Sequence, residues 1–376
     1  MPFFSVKHRS KKSKARIGEI NTAHGTVQTP TFVPCATKGT LKGMVPTLIP
    51  QMNVQLEFVN TYHLVTHPGH DVIEQAGGIH KYSNLPTALM SDSGGFQVFS
   101  LGKSTRRTKL RGADEEPLLV KISEEGVKFR STHDGTLVEF TPESSIEFQR
   151  KIGADLMMAF DECTYYPATH EYALKSMHRT HDWLLRCITQ MKKIKNHQFL
   201  YGIIQGGQYE DLRKQSAEFV SKQDTDGVAI GGVSVGETKE EMRKQVKWCE
   251  EFLPDNKPVH LLGIGQFDDF VDLVTSGIDS FDCVEPSRLA RIGVVYQWRQ
   301  PLPISLDITK SSYKTDFSPL DVDCDCYTCL NFTKSYVYHL FKQRELLAYT
   351  LATFHNIYTM ERFMKNLREE IANDRI

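Results

Sequence analysis

The chain has 376 residues, 45 of them Lys or Arg and 46 Asp or Glu, for a formal net charge of −1. A hydrophobic fraction of 40% and a charged fraction of 24% exclude a disordered chain, a collagen-like repeat and a disulfide miniprotein. With the charge so nearly balanced, any nucleic-acid contact has to come from local basic patches. At this length a single α/β barrel is as admissible as two or three domains.

In chain order, the N-terminus carries Lys7, His8, Arg9, Lys11, Lys12 and Lys14 with no apolar stretch after them. It does not read as a secretory signal, and no apolar run approaches the ~20 residues of a membrane span. Short apolar segments then recur at 31–36, 56–60, 87–90, 155–160, 199–204, 227–230, 259–262 and 278–281. Amphipathic helical stretches such as 171–193 and 239–252 lie between several of them. Near-continuous apolar strands alternating with helices predict a parallel sheet, either a (β/α)8 barrel or a doubly wound sheet. The strand ends would present Asn60, Asp92, Asp161, Gln205, Gly231, Gly232, Gly263 and Asp282. Between the third and fourth strands, 120–140 alternates in polarity around His133-Asp134-Gly135, which predicts a small antiparallel insertion at about 103–140. The expected organisation is a barrel over 1–305 and, over 306–376, a zinc-binding subdomain with C-terminal helices.

Of the eight cysteines, Cys35, Cys163, Cys187, Cys249 and Cys283 are scattered, whereas Cys324, Cys326 and Cys329 form C-x-C-x-x-C. Scatter plus one cluster points to a reducing compartment, the cytoplasm, and to one metal site. Three thiolates this close call for a soft cation. Zn²⁺ needs a fourth ligand to close its tetrahedron, which makes the site structural. His339 and His355 both lie downstream, and spacing does not choose between them.

Ser91-Asp92-Ser93-Gly94-Gly95-Phe96-Gln97 follows the third strand, Asp161-Glu162-Cys163 the fourth and Asp282-Cys283 the eighth. Carboxylates converging from several strand ends suit an oxocarbenium-like transition state, one attacking the anomeric carbon and another handling the proton. Gln205-Gly206-Gly207 and Gly231-Gly232-Val233 add an amide and open backbone able to read the edge of a planar heterocycle. Cys163 and Cys283 have no neighbouring His and read as buried filler. Basic residues cluster at Lys103, Arg106, Arg107, Lys109 and Arg111, and again at Arg288, Arg291 and Arg299. Both groups follow strands that carry candidate Asp residues, so they would rim one mouth and meet phosphates.

Together these motifs, with Val235-Gly236-Glu237 and His355-Asn356, resemble the tRNA-guanine transglycosylase family, the queuine tRNA-ribosyltransferases, from about residue 16 to residue 364. The resemblance implies a (β/α)8 barrel with a zinc-binding insertion and selects His355 as the fourth ligand. It implies Asp282 as the nucleophile that displaces the wobble guanine of tRNAs with GUN anticodons, and Asp92 as general acid/base. Asp161, Gln205 and the Gly232 backbone would hold the heterocycle's edge under a stacked Phe96. Ser93, Gly94, Gly95, Cys163 and Val233 would complete that pocket. Gly263, Ile264, Gly265, Gln266, Phe267, Asp268 and Asp269 align with anticodon-binding segments, as do Ser287, Arg288, Leu289, Ala290 and Arg291. The implied reaction is a base exchange that needs no cofactor, and the implied state is a homodimer.

Cys163 and Val235 resemble the bacterial pattern, which implies insertion of 7-aminomethyl-7-deazaguanine; a queuine-inserting salvage enzyme is the alternative. Glu285, Ser287 and Leu262 depart from the family's usual apolar residue, Thr and Met, and Val233-Ser234 replaces the common Leu-Ala. Archaeal relatives carry long C-terminal RNA-binding extensions, whereas this chain stops soon after His355. A non-catalytic, tRNA-binding partner subunit would belong to a different class. Retention of both Asp92 and Asp282 argues against it. A sugar glycosidase would leave the thiolate site and the basic rim unexplained.

Overall fold

The computed structural model describes residues 1–95, 118–131, 134–194 and 197–376, with side chains from 121 onward in the second stretch. Three strands, β1 (Phe4–Arg9), β2 (Arg16–Thr22) and β3 (Gly25–Thr29), form an antiparallel meander at the N-terminus. These strands carry no apolar run in the sequence, because they are short and half polar. The barrel begins with β4 (Thr31–Pro34), β5 (Leu56–Val59) and β6 (Ala88–Ser91). The insertion contributes β7 (Leu118–Ile122), β8 (Val127–Arg130) and β9 (Leu137–Phe140), paired antiparallel. The barrel resumes with β10 (Leu156–Met158), β11 (Phe199–Ile204), β12 (Gly227–Ile230), β13 (Val259–Leu261) and β14 (Ser280–Cys283). All eight expected barrel strands are present. The last is shifted by two residues, because Gly277 turns the chain with φ +94 and pairing to β4 starts only at Ser280.

The parallel order is β4-β14-β13-β12-β11-β10-β6-β5. A parallel bridge between Cys35 and Phe58, with Ala36 N donating to Phe58 O at 2.7 Å, joins its two edges. This resolves the choice between barrel and open sheet. Alternate strand residues pack on two sides. Val33, Leu56, Phe58, Met90, Met158, Tyr201, Ile203 and Ala229 fill the interior, while Phe32, Val59, Leu89, Leu200, Ile230 and Phe281 belong to the cluster shared with the helices. Burial on both faces is why the strands read as continuous apolar runs.

The helices are α1 (Thr61–Thr66), α2 (His70–Gln75), α3 (Ile79–Ser83), α4 (Pro142–Ile152), α5 (His170–Met191), α6 (Glu210–Ser221), α7 (Lys239–Cys249), α8 (Phe267–Thr275) and α9 (Glu285–Arg291). Beyond them lie the hairpin β15 (Val294–Gln297) and β16 (Ile304–Asp307), then α10 (Tyr327–Asn331), α11 (Lys334–Gln343) and α12 (Leu346–Ala372). The expected division at 305/306 falls inside β16.

The meander closes the N-terminal end of the barrel. Ile20 and Val27 join the interior cluster, and Phe3 stacks on Phe199 at 3.9 Å. Arg16, buried beneath β14, donates to Asp279 at 2.9 and 2.5 Å and to the Lys257 carbonyl at 2.7 Å. With that end plugged, the opposite rim is left for ligands, as in other barrels of this kind.

Candidate functional site

Asp92 follows β6 and is held from the neighbouring strand end. Its carboxylate accepts from the Asn60 amide at 2.5 Å, from Thr61 N at 2.6 Å and from Gly94 N at 3.2 Å. Thr61 Oγ1 in turn donates to the Asp92 carbonyl at 2.5 Å. Gly94 adopts φ +82, and a Cβ there would lie 2.4 Å from the Phe140 ring of β9. Only glycine allows both the turn and the insertion's close approach.

Asp282 sits on β14, eight per cent exposed. Its Oδ1 accepts from Gly263 N at 3.0 Å and lies 3.2 Å from His260 Nε2. Oδ2 receives the Cys35 thiol at 3.7 Å. Burial, then the negative charge of Asp282 with lesser help from Cys283 and Asp92, pushes that thiol well above the usual range. It therefore stays protonated. β14, β4, β5 and β6 follow one another around the closed barrel, so Asp282 and Asp92 both lie at the C-terminal strand ends of one arc. Sequence reasoning missed His260 and Cys35, since neither stands in a spacing pattern. The only signal was their position in predicted barrel strands.

The third carboxylate forms a separate recess. Asp161 accepts from Ser93 Oγ at 3.1 Å and from Gln205 Nε2 at 2.7 Å. Burial pushes it up to about 6, against those two hydrogen bonds, with Asp92 and Glu162 adding repulsion. Gln205 is buried, and its Oε1 has no hydrogen-bond partner among the described residues. It faces Gly232, where φ is +63 and a Cβ would sit 2.2 Å from that oxygen. A buried acceptor left without a donor is costly.

Arg213 of α6, also absent from the sequence reading, ties the recess together. Fully buried, it donates to the carbonyls of Gly207, Gly231 and Gly232 at 2.8, 2.6 and 2.7 Å. Glu237 accepts from Ser234 N and, at 2.9 Å, from Val235 N, closing the turn after Gly232. Val233 is buried in that turn and Val235 half-buried. Cys163 is buried too, and desolvation with Asp161 pushes its thiol up to about 12. Cys283 is raised to about 12 mainly by burial. Both shifts disfavour the thiolate form that a nucleophile needs.

The 263–269 and 287–291 segments flank Asp282. Gly263, Gln266, Asp268 and Arg288 are exposed, whereas Ile264, Gly265, Phe267, Asp269, Ser287 and Ala290 face inward, and Leu289 is half-buried. Phe267 packs edge-on against Tyr296 and Phe363. Asp268 and Asp269 pair with Lys239 and Arg243. Arg291 donates to the Ser287 carbonyl at 3.0 Å. Glu285 at the start of α9 receives Gln266 Nε2 at 3.4 Å, which ties the first segment to the head of that helix. Phe96, His133 and the basic residues at 103–111 lie outside the described residues.

Cys324, Cys326, Cys329 and His355 bring their ligand atoms within 4.8 Å of one another, all four buried. His355 Nδ1 lies 3.8, 3.5 and 3.3 Å from the three sulfurs. Its Nε2 lies 2.6 Å from the Tyr296 carbonyl of β15. A carbonyl only accepts, so Nε2 carries the hydrogen and Nδ1 points its lone pair at the thiols, the arrangement a metal requires. The donor set fits a tetrahedral soft cation. His339 is exposed and outside the cluster. Asn356, next to the ligand, receives Tyr296 N at 3.0 Å and donates to the carbonyls of Pro286 and Val294 at 3.0 Å each. The residue beside His355 thus braces α9, which follows Asp282.

These features define an α/β-barrel protein with carboxylates at the C-terminal strand ends and a separate, buried Cys3His group that could hold a metal ion. A family model described as queuine tRNA-ribosyltransferase matches residues 10–376, and the chain belongs to that family. It is 43% identical over 373 residues to a queuine tRNA-ribosyltransferase of Caldanaerobacter subterraneus subsp. tengcongensis, covering 99% of this chain and 94% of the relative. Relatives of the same name from Thermoanaerobacter pseudethanolicus (44% over 376 residues, 99% and 95% covered) and Lysinibacillus sphaericus (41% over 373, 99% and 93%) are similar to it throughout.

Proposed function

We propose that this protein is a tRNA-guanine transglycosylase of queuosine biosynthesis. It exchanges the wobble guanine of tRNAs with GUN anticodons for 7-aminomethyl-7-deazaguanine. The observation that carries the reading is the placement of Asp282 on β14 and of Asp92 just after β6, both at the C-terminal strand ends of a barrel of this family.

Asp282 is the nucleophile. Its carboxylate attacks C1′ of the wobble nucleotide as the glycosidic bond breaks, and the bonding pair leaves with the base. The incoming base then attacks the ribosyl-enzyme and releases the carboxylate. Asp92, held by three donors, manages the protons on departing and entering bases. Asp161, Gln205 and the Gly232 backbone take the base's edge, and the unpartnered Gln205 Oε1 supports this role. Ser93, Gly94, Gly95, Cys163 and Val233 surround it, with Phe96 on its face. The exchange is balanced in bonds broken and made, so it draws on no cofactor.

The 263–269 and 287–291 segments carry the anticodon loop. Zn²⁺ in the Cys3His site contributes folding energy and braces the strand-eight loop. Residues 306–376 act as the zinc-binding subdomain of a cytoplasmic homodimer.

Asp282→Asn tests the assignment. An amide cannot serve as the attacking group, so the denaturation-resistant tRNA adduct should vanish on a gel while the fold is retained. An adduct persisting in the variant would place the nucleophile elsewhere.

A further inference from the structure

Resting on the assignment of Asp282 as nucleophile, we infer that His260 and Ser280 form a relay that holds Asp282 Oδ1 and leaves Oδ2 as the attacking atom. His260 lies on β13, fully buried, directly opposite Ser280 of β14. Ser280 and Asp282 are two residues apart on one strand, so their side chains share a face and bracket the imidazole. Nδ1 lies 2.8 Å from Ser280 Oγ and Nε2 lies 3.2 Å from Asp282 Oδ1.

The hydrogen positions follow from the partners. An ionised carboxylate only accepts, so Nε2 must carry a hydrogen. In the neutral ring Nδ1 is then an acceptor, and the Ser280 hydroxyl donates to it. This fixes the tautomer that points a donor at Asp282. The ring is held flat against Phe58, with centroids 6.0 Å apart and planes 17° from parallel. Ala229 of β12 pairs with it on the other side.

The two carboxylate oxygens are therefore unequal. Among the described residues, Oδ1 has the Gly263 amide and the imidazole, whereas Oδ2 has only a weak thiol donor at 3.7 Å. The lone pairs of Oδ2 are the less engaged. Oδ2 forms the bond to C1′ while the C1′–N pair goes to the leaving base, and the same Oδ2–C1′ pair returns to the carboxylate when the new base attacks. Throughout, Oδ1 stays fixed by its two N–H donors, so the carboxylate does not rotate away from the ribose. His260 never touches substrate; it is a positioning residue acting through Asp282.

The test is single-turnover formation of the tRNA adduct, with KM for tRNA measured alongside. His260→Phe keeps a ring of similar size and removes both nitrogens. The adduct rate should fall about 10- to 100-fold, the scale of a misplaced reacting group, with KM changed less than about twofold. His260→Gln, whose amide can donate toward Oδ1, should recover most of the rate. An unchanged rate in His260→Phe, or equal losses in both variants, would overturn the relay. If circular dichroism shows that His260→Phe does not fold, Ser280→Ala carries the test. Freeing the tautomer there should cost a few-fold in adduct rate at constant KM, and no loss overturns the proposal. Asp282→Asn run in parallel separates the two readings. An adduct in that variant removes the nucleophile assignment itself, whereas its absence beside normal His260→Phe kinetics removes only the relay.

Discussion

At the scale of single residues, the carboxylates differ because their surroundings do. Asp92 is pinned by three donors, whereas Asp161 is desolvated, which raises it to about 6. A carboxyl whose folded pKa is raised contributes stability that is fully present below its unfolded value of 3.8 and is lost as pH rises through about 6. Wild type should therefore gain on Asp161→Asn as pH falls from 7 to 4, by about 2 kcal/mol across that window. Urea melts at several pH values would show it, and a pH-independent difference would count against it. Val235, half-buried beside the Glu237-closed turn, sets a second expectation. Overpacking a tight pocket costs ~1–3 kcal/mol, so kcat/KM should favour the aminomethyl base over queuine about ten- to a hundredfold. Steady-state exchange with both bases on one tRNA decides this; a preference for queuine would indicate a salvage enzyme.

At the scale of elements, the strand ends were legible because the barrel's two-sided burial writes each strand as an apolar run that stops at a polar residue. The C-x-C-x-x-C spacing was equally plain, and its closed geometry leads to a prediction. Cys326 both belongs to the Cys3His group and caps α10, accepting from Cys329 N at 3.4 Å. Cys326→Ser should lose the metal, seen by elemental analysis, and weaken tRNA binding, because His355-Asn356 then no longer braces α9. Retained metal would show that another group closes the site. The meander was not legible, since β1 to β3 bury only alternate or isolated side chains. The fourth ligand was not decided by spacing either. His339 is nearer in sequence, but α11 turns it to solvent while α12 carries His355 under the thiols.

At the scale of the whole molecule, a chain of net charge −1 must bind an anionic partner through placement rather than excess charge. Arg288 is exposed on α9, just beyond Asp282, and Arg291 is half-buried and turned toward Ser287. Arg288→Ala should reduce the salt dependence of tRNA binding by roughly one unit of slope. Arg291→Ala should act more through the helix than through phosphate. Filter binding across a salt series distinguishes them, and an unaltered slope for Arg288→Ala would make it a bystander.

The sequence by itself determined the eight barrel strands, the polar groups at their ends and the three thiolates. Each of these is local: a run, a terminus or a spacing that the chain carries wherever it folds. Only the tertiary structure decided barrel over open sheet, because closure rests on the bridge from Cys35 to Phe58. It alone brought His260 and Cys35 onto Asp282 and Arg213 under the Gly207 and Gly232 turns. Those partners lie between 6 and 247 residues apart in the chain, and the longest of these pairings are set by the register of neighbouring strands, which no local pattern encodes.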